Sequence, residues 1–227
     1  MKTLRIVAIV LGVLVIAAVA VIALNWAPDR PVSALAPRWA PPPSQFVEIA
    51  GLSVHLRDEG PRSDPSPIVL IHGTSASLHT WQGWAEALRG QRRVVRFDLP
   101  GFGLTGPSPE GDYSLAAYAR FVGAVLDKLE IRRCVLAGNS LGGGVAWTTA
   151  LAMPQRVDKL VLVDAAGYPL PPTSNPGFRL ARMPVVNRLM EYILPRGLIA
   201  ASVRQVYGDP AKVTPELVDR YYELTLR

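Results

Sequence analysis

The residues best suited to chemistry are grouped in Gly138-Asn139-Ser140-Leu141-Gly142, which reads G-x-S-x-G. The setting gives the motif its meaning. Arg133 to Ala137 is a short apolar run with the length of a buried strand. Gly143 and Gly144 lead into Val145 to Ala152, which reads as a helix stopped before Pro154. A serine on a sharp strand-to-helix turn holds its hydroxyl above the sheet, facing a helix N-terminus whose free N–H groups can receive negative charge. Glycine fits at 138 and 142 because strand and helix pass too closely beside Ser140 for a Cβ atom. The plainer alternative is a tight turn that happens to carry a serine.

A serine hydroxyl needs a base to become a nucleophile. The three histidines, His55, His72 and His79, all precede Ser140. His55 lies in a predicted hairpin and reads as a surface or packing residue. His72 sits in a His-Gly-Thr turn that it would shape, and His79 opens a helix with an exposed polar role. Asp98 reads as a turn residue bonding nearby N–H groups. Asp164, at the end of a predicted strand, reads as structural, with an acid role as the alternative. Cys134, the single cysteine, excludes an intramolecular disulfide and a cysteine metal cluster, and its place in a strand predicts a buried, inert thiol.

Stepping along the chain, Phe46–Ile49 and Leu52–Arg57 flank Ala50-Gly51, a hairpin signal. Buried-type strands are predicted at Pro67–Ile71, Arg93–Phe97 and Val157–Val163, with helices at Leu78–Leu88 and from Ser114 onward. Leu115, Tyr118, Val122, Val125, Leu126 and Leu129 line one helical face. A hairpin followed by β-α-β-α-β-α-β alternation implies an α/β fold with a mainly parallel sheet covered by helices. After Gly167 the pattern turns helical, with helices expected around Pro184–Leu194, Gly197–Tyr207 and Pro215–Thr225. Thr214 fits an N-cap with Pro215 at the first helical position.

The N-terminus carries an unbroken apolar run from Ile6 to Leu24, long enough at about 1.5 Å per residue to match a bilayer core of roughly 30 Å. Lys2 and Arg5 precede it and predict a cytoplasmic N-terminus with the remainder exported. A cleaved signal peptide is the lesser alternative, because its apolar region is usually shorter. The organisation expected is an anchor at 6–24, a Pro-rich semi-extended linker at 25–45, an α/β core at 46–167 and a helical region at 168–227. The net charge of +6 comes from scattered arginines without an aromatic-interleaved basic block, which gives nucleic-acid binding no support.

His72-Gly73-Thr74, Asp98-Leu99-Pro100-Gly101-Phe102-Gly103 and the G-x-S-x-G segment together resemble the α/β-hydrolase superfamily, in the superfamily's order and at its strand ends. The resemblance covers most of the chain from Phe46 and identifies 168–227 with the helical cap of esterase- and lipase-like members. It implies Ser140 as nucleophile, and the Thr74 and Leu141 N–H groups as the oxyanion hole. No cofactor or metal is implied. The partner implied is a small, apolar acyl substrate, with the membrane as the second partner. The superfamily's triad runs serine, acid, histidine along the chain, and no histidine follows Ser140. The expectation is therefore a chain truncated before the last core strands, which carry the acid and the histidine. The function expected is a membrane-anchored serine hydrolase acting on an ester through an acyl-enzyme. The alternatives are a non-catalytic binding module on the same scaffold, or C–C hydrolysis, haloperoxidase-like activity or acyl transfer.

Overall fold

A computed structural model describes residues 2–167, 183–184, 188 and 192–227. The chain divides into two compact units, one of residues 30–169, 223–225 and 227, the other of residues 1–29, 170–222 and 226.

The larger unit is built on a six-stranded sheet: β1 (Gln45–Ile49), β2 (Leu52–Glu59), β3 (Ile68–Ile71), β4 (Val94–Phe97), β5 (Cys134–Asn139) and β6 (Val157–Val163), in the order β1-β2-β4-β3-β5-β6. β1, β2 and β4 pair antiparallel; β4, β3, β5 and β6 pair parallel. The β1–β2 turn is the expected one, with Ala50 and Gly51 both at positive φ (49° and 74°), as a two-residue hairpin of this hand requires. Between the strands run α3 (Gln82–Leu88), preceded by a 3-10 turn at Leu78–Trp81, then α4 (Leu115–Lys128) and α5 (Leu141–Ala152).

The two-residue period of the strands divides the core into two layers. Val69, Ile71, Val95, Phe97 and Leu136 pack with Val122, Val125 and Leu126 of α4 and Val145 of α5. Ile68, Leu70, Val94 and Ala137 face the other way, onto Trp81 and Ala85. Arg96, between Val95 and Phe97, also points away from the α4 layer and is wholly buried. Its guanidinium is matched by Glu59 at 2.8 Å and the Gln82 carbonyl oxygen at 2.7 Å, which makes burial of the charge tolerable. β3 and β4 are buried along their whole length, as a strand covered on both faces should be.

Three sequence expectations are corrected. The 25–45 segment is not simply extended: α2 (Val32–Trp39) forms inside it despite Pro37. Its Leu35 and Trp39 are buried with Leu104 and Leu224, and burial of two large apolar side chains outweighs a weak helical sequence. The Val157–Val163 strand is present but is not buried; it lies at the end of the sheet order, with Leu160 and Leu162 exposed. His79, expected on the surface, is buried.

In the other unit, α1 (Lys2–Leu24) contains Arg5–Leu24, a stretch long and apolar enough to cross a membrane. Helices α6 (Arg196–Val206) and α7 (Pro215–Thr225) follow the described part of the late region. The Thr214 hydroxyl accepts the Leu217 N–H at 3.1 Å, the expected cap. Most of the helix anticipated at Pro184–Leu194 lies outside the described residues.

Candidate active site

Ser140 occupies the residue between β5 and α5, with φ 51° and ψ −118°. That backbone is strained for a residue with a Cβ, and the surroundings enforce it. The Ser140 N–H donates to the Val163 carbonyl at 3.0 Å. The Ser140 carbonyl accepts from Ala166 at 2.9 Å and Gly144 at 3.1 Å. The strained residue is thus tied at both ends, to β6 and the segment after it on one side and to α5 on the other. Glycines on either side allow the corner to close: a Cβ on Gly138 would collide with the Gly142 carbonyl, and a Cβ on Gly142 with the Ile71 and His72 carbonyls. α5 therefore begins at Leu141, four residues earlier than its apolar pattern indicates.

The turn after β3 lies against this corner. A Cβ on Gly73 would stand 3.1 Å from the Ser140 Cβ and 3.1 Å from Asn139 Oδ1. His72, wholly buried, fixes the turn through both ring nitrogens. Nε2 lies 3.0 Å from the Leu99 N–H, which can only donate, so Nε2 accepts and the proton resides on Nδ1. Nδ1 in turn donates to the Gly73 carbonyl at 2.7 Å. Burial pushes the His72 pKa below its ordinary value, against the opposing pull of Asp98 and the Gly73 carbonyl, so the ring is neutral near pH 7. In a planar trans peptide the carbonyl and the next N–H point opposite ways. With the Gly73 carbonyl held on His72, the Thr74 N–H faces away from that ring. Thr74 itself is exposed and Ser140 half-buried. As the first residue of α5, Leu141 has an N–H without an acceptor inside its helix.

The histidine and carboxylate readings resolve into a second, buried network. Asp98 accepts the Leu78 N–H at 2.7 Å, the Leu104 N–H at 2.8 Å and His55 Nδ1–H at 2.7 Å. Burial alone would raise its pKa, but the electrostatic pull and hydrogen bond of the His55 imidazole, the nearby His72 ring and the Leu104 N–H together hold it at about 2. The turn role expected for Asp98 is present, and His55 is a buried partner beyond it. His55 Nε2 lies 2.9 Å from Ser44 Oγ. In atom order this repeats a serine–histidine–carboxylate chain. Yet the Ser44 oxygen also receives Arg57 Nε–H at 2.8 Å, and His55 and Asp98 have no exposed surface. The group works as a fastening between the start of β1, β2 and the turn after β4. His79 is likewise occupied, with Nε2 on the Trp39 carbonyl at 2.9 Å and Nδ1 on Ser77 Oγ at 3.0 Å. All three histidines thus have both ring nitrogens engaged away from the elbow. Asp164 is exposed and, at φ 47°, turns the chain after β6. Cys134 is fully buried, and burial pushes its thiol up to about 12, as an inert strand cysteine should be. Among the described residues no cluster of histidine, cysteine or carboxylate side chains could hold a metal ion.

A mixed sheet of this order, with a strained serine between its fifth strand and the following helix, defines an α/β hydrolase. The sequence profile described as alpha/beta hydrolase fold matches residues 66–194, and the chain belongs to that family. An uncharacterized protein of Mycobacterium tuberculosis is 39% identical over 165 residues, covering 72% of this chain and 47% of the relative. A 2-hydroxymuconate semialdehyde hydrolase of Pseudomonas sp. strain CF600 is 34% identical over 141 residues, 61% of this chain and 49% of that enzyme. The chain thus spans about half the length of the curated relatives it matches. Among solved structures, a meta-cleavage product hydrolase from Pseudomonas fluorescens IP01 superposes with TM-score 0.65 at 29% identity, over 81% of this chain and 63% of that one.

Proposed function

We propose that this hydrolase uses Ser140 as its nucleophile, that α1 anchors it in a membrane with the N-terminus on the cytoplasmic side, and that it cleaves an ester of an apolar acyl group. The backbone of Ser140 carries the reading. Holding a non-glycine residue at φ 51° costs about 1–3 kcal/mol, and three backbone hydrogen bonds and the close approaches at Gly138 and Gly142 keep it there.

In the reaction the Ser140 Oγ–H proton passes to a base as Oγ bonds to the substrate carbonyl carbon. The carbonyl oxygen takes the negative charge, and the Thr74 and Leu141 N–H groups receive it, each such donor being worth roughly 3–4 kcal/mol of barrier. Collapse expels the alcohol, and water then releases the acid from Ser140. His55, His72 and His79 are committed elsewhere, so the base is assigned to none of them. No cofactor enters this chemistry.

A second reading, hydrolysis of a carbon–carbon bond beside a carbonyl, is favoured by the similarity to the 2-hydroxymuconate semialdehyde hydrolase, since the same elbow and oxyanion donors serve both reactions. A fluorophosphonate probe tests the shared part. In the full-length protein we expect one adduct, on the peptide containing Ser140, and none in Ser140→Ala; a folded full-length protein that takes no adduct overturns the assignment. Release of nitrophenol from a p-nitrophenyl ester, set against turnover of 2-hydroxymuconate semialdehyde, separates the two substrate classes.

A further inference from the structure

The residues just beyond α1 are fastened to a segment far along the chain. Asn25 closes the helix, its Nδ2 donating to the Val21 carbonyl at 2.8 Å. Immediately after it, Trp26 forms an antiparallel bridge with Ile193. The Ala27 N–H donates to the Tyr192 carbonyl at 2.9 Å, and the Leu194 N–H to the Asn25 carbonyl at 3.1 Å. Ala27 and Leu194 are buried with Leu226, and Ile199 and Tyr222 pack against them. On the outside, the Trp26 and Tyr192 rings stack, centroids 5.5 Å apart and planes 13° from parallel. Both remain about half exposed, 54% and 51%.

Two large aromatic rings stacked in the open are an unfavourable surface in water. At the boundary between acyl chains and headgroups they are favourable, because each has an apolar body and a polar N–H or O–H tip. α1 extends about 34 Å at 1.5 Å per residue, so a helix crossing the hydrocarbon layer places residue 26 at its edge. The six residues of the two short segments carry no charge, although Asp29, Arg30 and Glu191 flank them in sequence, and Arg196 is paired with Asp219 at 2.5 Å.

We propose that residues 25–27 and 192–194 form a latch seated in the headgroup layer of a phospholipid bilayer, with the Trp26 and Tyr192 rings against lipid, so that the segment from Tyr192 onward is held to the membrane surface by the anchor. The proposal rests on the reading of α1 as a membrane span. Because the latch is uncharged, its partner is the phospholipid interface itself, and zwitterionic lipid suffices.

The test uses the full chain in phosphatidylcholine vesicles, with Tyr192→Cys carrying an environment-sensitive fluorophore. Cys134 has no exposed surface and stays unlabelled. The fluorophore should be quenched severalfold more by lipids with a shallow nitroxide than by lipids with a deep one, and shielded from aqueous iodide. Ala27→Pro removes the N–H that binds Tyr192; the label should then become open to iodide, and amide exchange at 192–194 should quicken at least tenfold, with vesicle retention unchanged. Iodide quenching of the parent label, in a chain that survives an alkaline wash of the vesicles, refutes the latch and leaves the anchor standing. An Ala27→Pro label that behaves as the parent also refutes it. Loss of the chain in the alkaline wash refutes the anchor reading, and the latch with it.

Discussion

Replacing Asp98 tests how the loops around the elbow are held. Its carboxylate accepts the Leu78 N–H, the Leu104 N–H and His55 Nδ1–H, all at 2.7–2.8 Å and all buried. Asp98→Ala orphans three donors at ~1–3 kcal/mol each. Water entering the small space left by the side chain recovers part of that, so a loss of ~4–6 kcal/mol is expected, a large share of the roughly 5–15 kcal/mol a folded domain has. Asp98→Asn is milder. Its carbonyl oxygen can keep one backbone N–H and His55 can change tautomer, but the amide NH2 then meets a second backbone N–H, at a cost of ~1–3 kcal/mol. The pH dependence provides a signature. The Asp98 pKa in the fold is about 2, against an ordinary 3.8. As pH falls the unfolded chain takes the proton first, so the contribution is complete above pH ~4 and disappears toward pH ~2; at 1.36 kcal/mol per unit it amounts to ~2 kcal/mol. Urea titrations in a mild detergent, followed by tryptophan fluorescence at several pH values, measure both quantities. An Asp98→Ala midpoint within 1 kcal/mol of the parent at equal slope, or an Asp98→Asn curve that keeps the acid dependence, would refute the reasoning.

The other variants probe the elbow and the helix ends. Ser140→Gly deletes the nucleophile and also relieves the positive φ, so the folded chain should gain ~1 kcal/mol in the same titration while losing fluorophosphonate labelling; a loss of stability contradicts the strain. His72 has a folded pKa below its ordinary 6.5, so the unfolded chain binds the proton first and stability declines as pH drops below ~6.5. His72→Gln should flatten part of that slope and should lower kcat more than KM for an ester, because the Gly73 carbonyl loses its fixed donor; an unchanged kcat removes the positioning role. Thr214→Ala should cost ~1 kcal/mol, read as faster amide exchange in the first turn of α7; exchange confined to the last turn would point to a different cap.

What the sequence reveals here follows from locality. The Ala50-Gly51 turn, the buried β3 and β4, the α4 stripe and the Thr214 cap depend on a few neighbouring residues, and each is found where its pattern puts it. The serine corner is legible in part for the same reason: Gly138 is demanded by the Gly142 carbonyl four residues on, whereas Gly142 answers to the remote Ile71 and His72 carbonyls. Features that depend on distant partners are not legible. α2 has a poor helical sequence, and partners remote in the chain, Leu104, Leu224 and His79 among them, give Leu35 and Trp39 a reason to be buried. The exposure of β6 reflects its place in the sheet order, which an apolar run cannot disclose.

The histidines show the same division within single side chains. Spacing identifies His72 as part of a turn, because its partner Gly73 is adjacent, but it gives no hint of Leu99 at the other nitrogen. For His55 and His79 the partners Asp98, Ser44 and Trp39 are all remote, so His79 passes for an exposed position and His55 for one that is either exposed or packed. One signal was available. Asp98 ends a strand two residues before Pro100-Gly101, where a carboxylate is useful only if donors converge on it, and a buried carboxylate with a histidine in the same chain is most simply satisfied by pairing. The physical consequence reaches the catalytic question. Every imidazole among the described residues serves to hold a loop in shape, and two of the loops so held, the 72–74 turn and the 98–105 turn, meet through His72 and Leu99. On the proposed reading, His72 alone of the three bears on the Thr74 N–H, through the Gly73 carbonyl it holds, and the proton acceptor for Ser140 is a group other than these imidazoles.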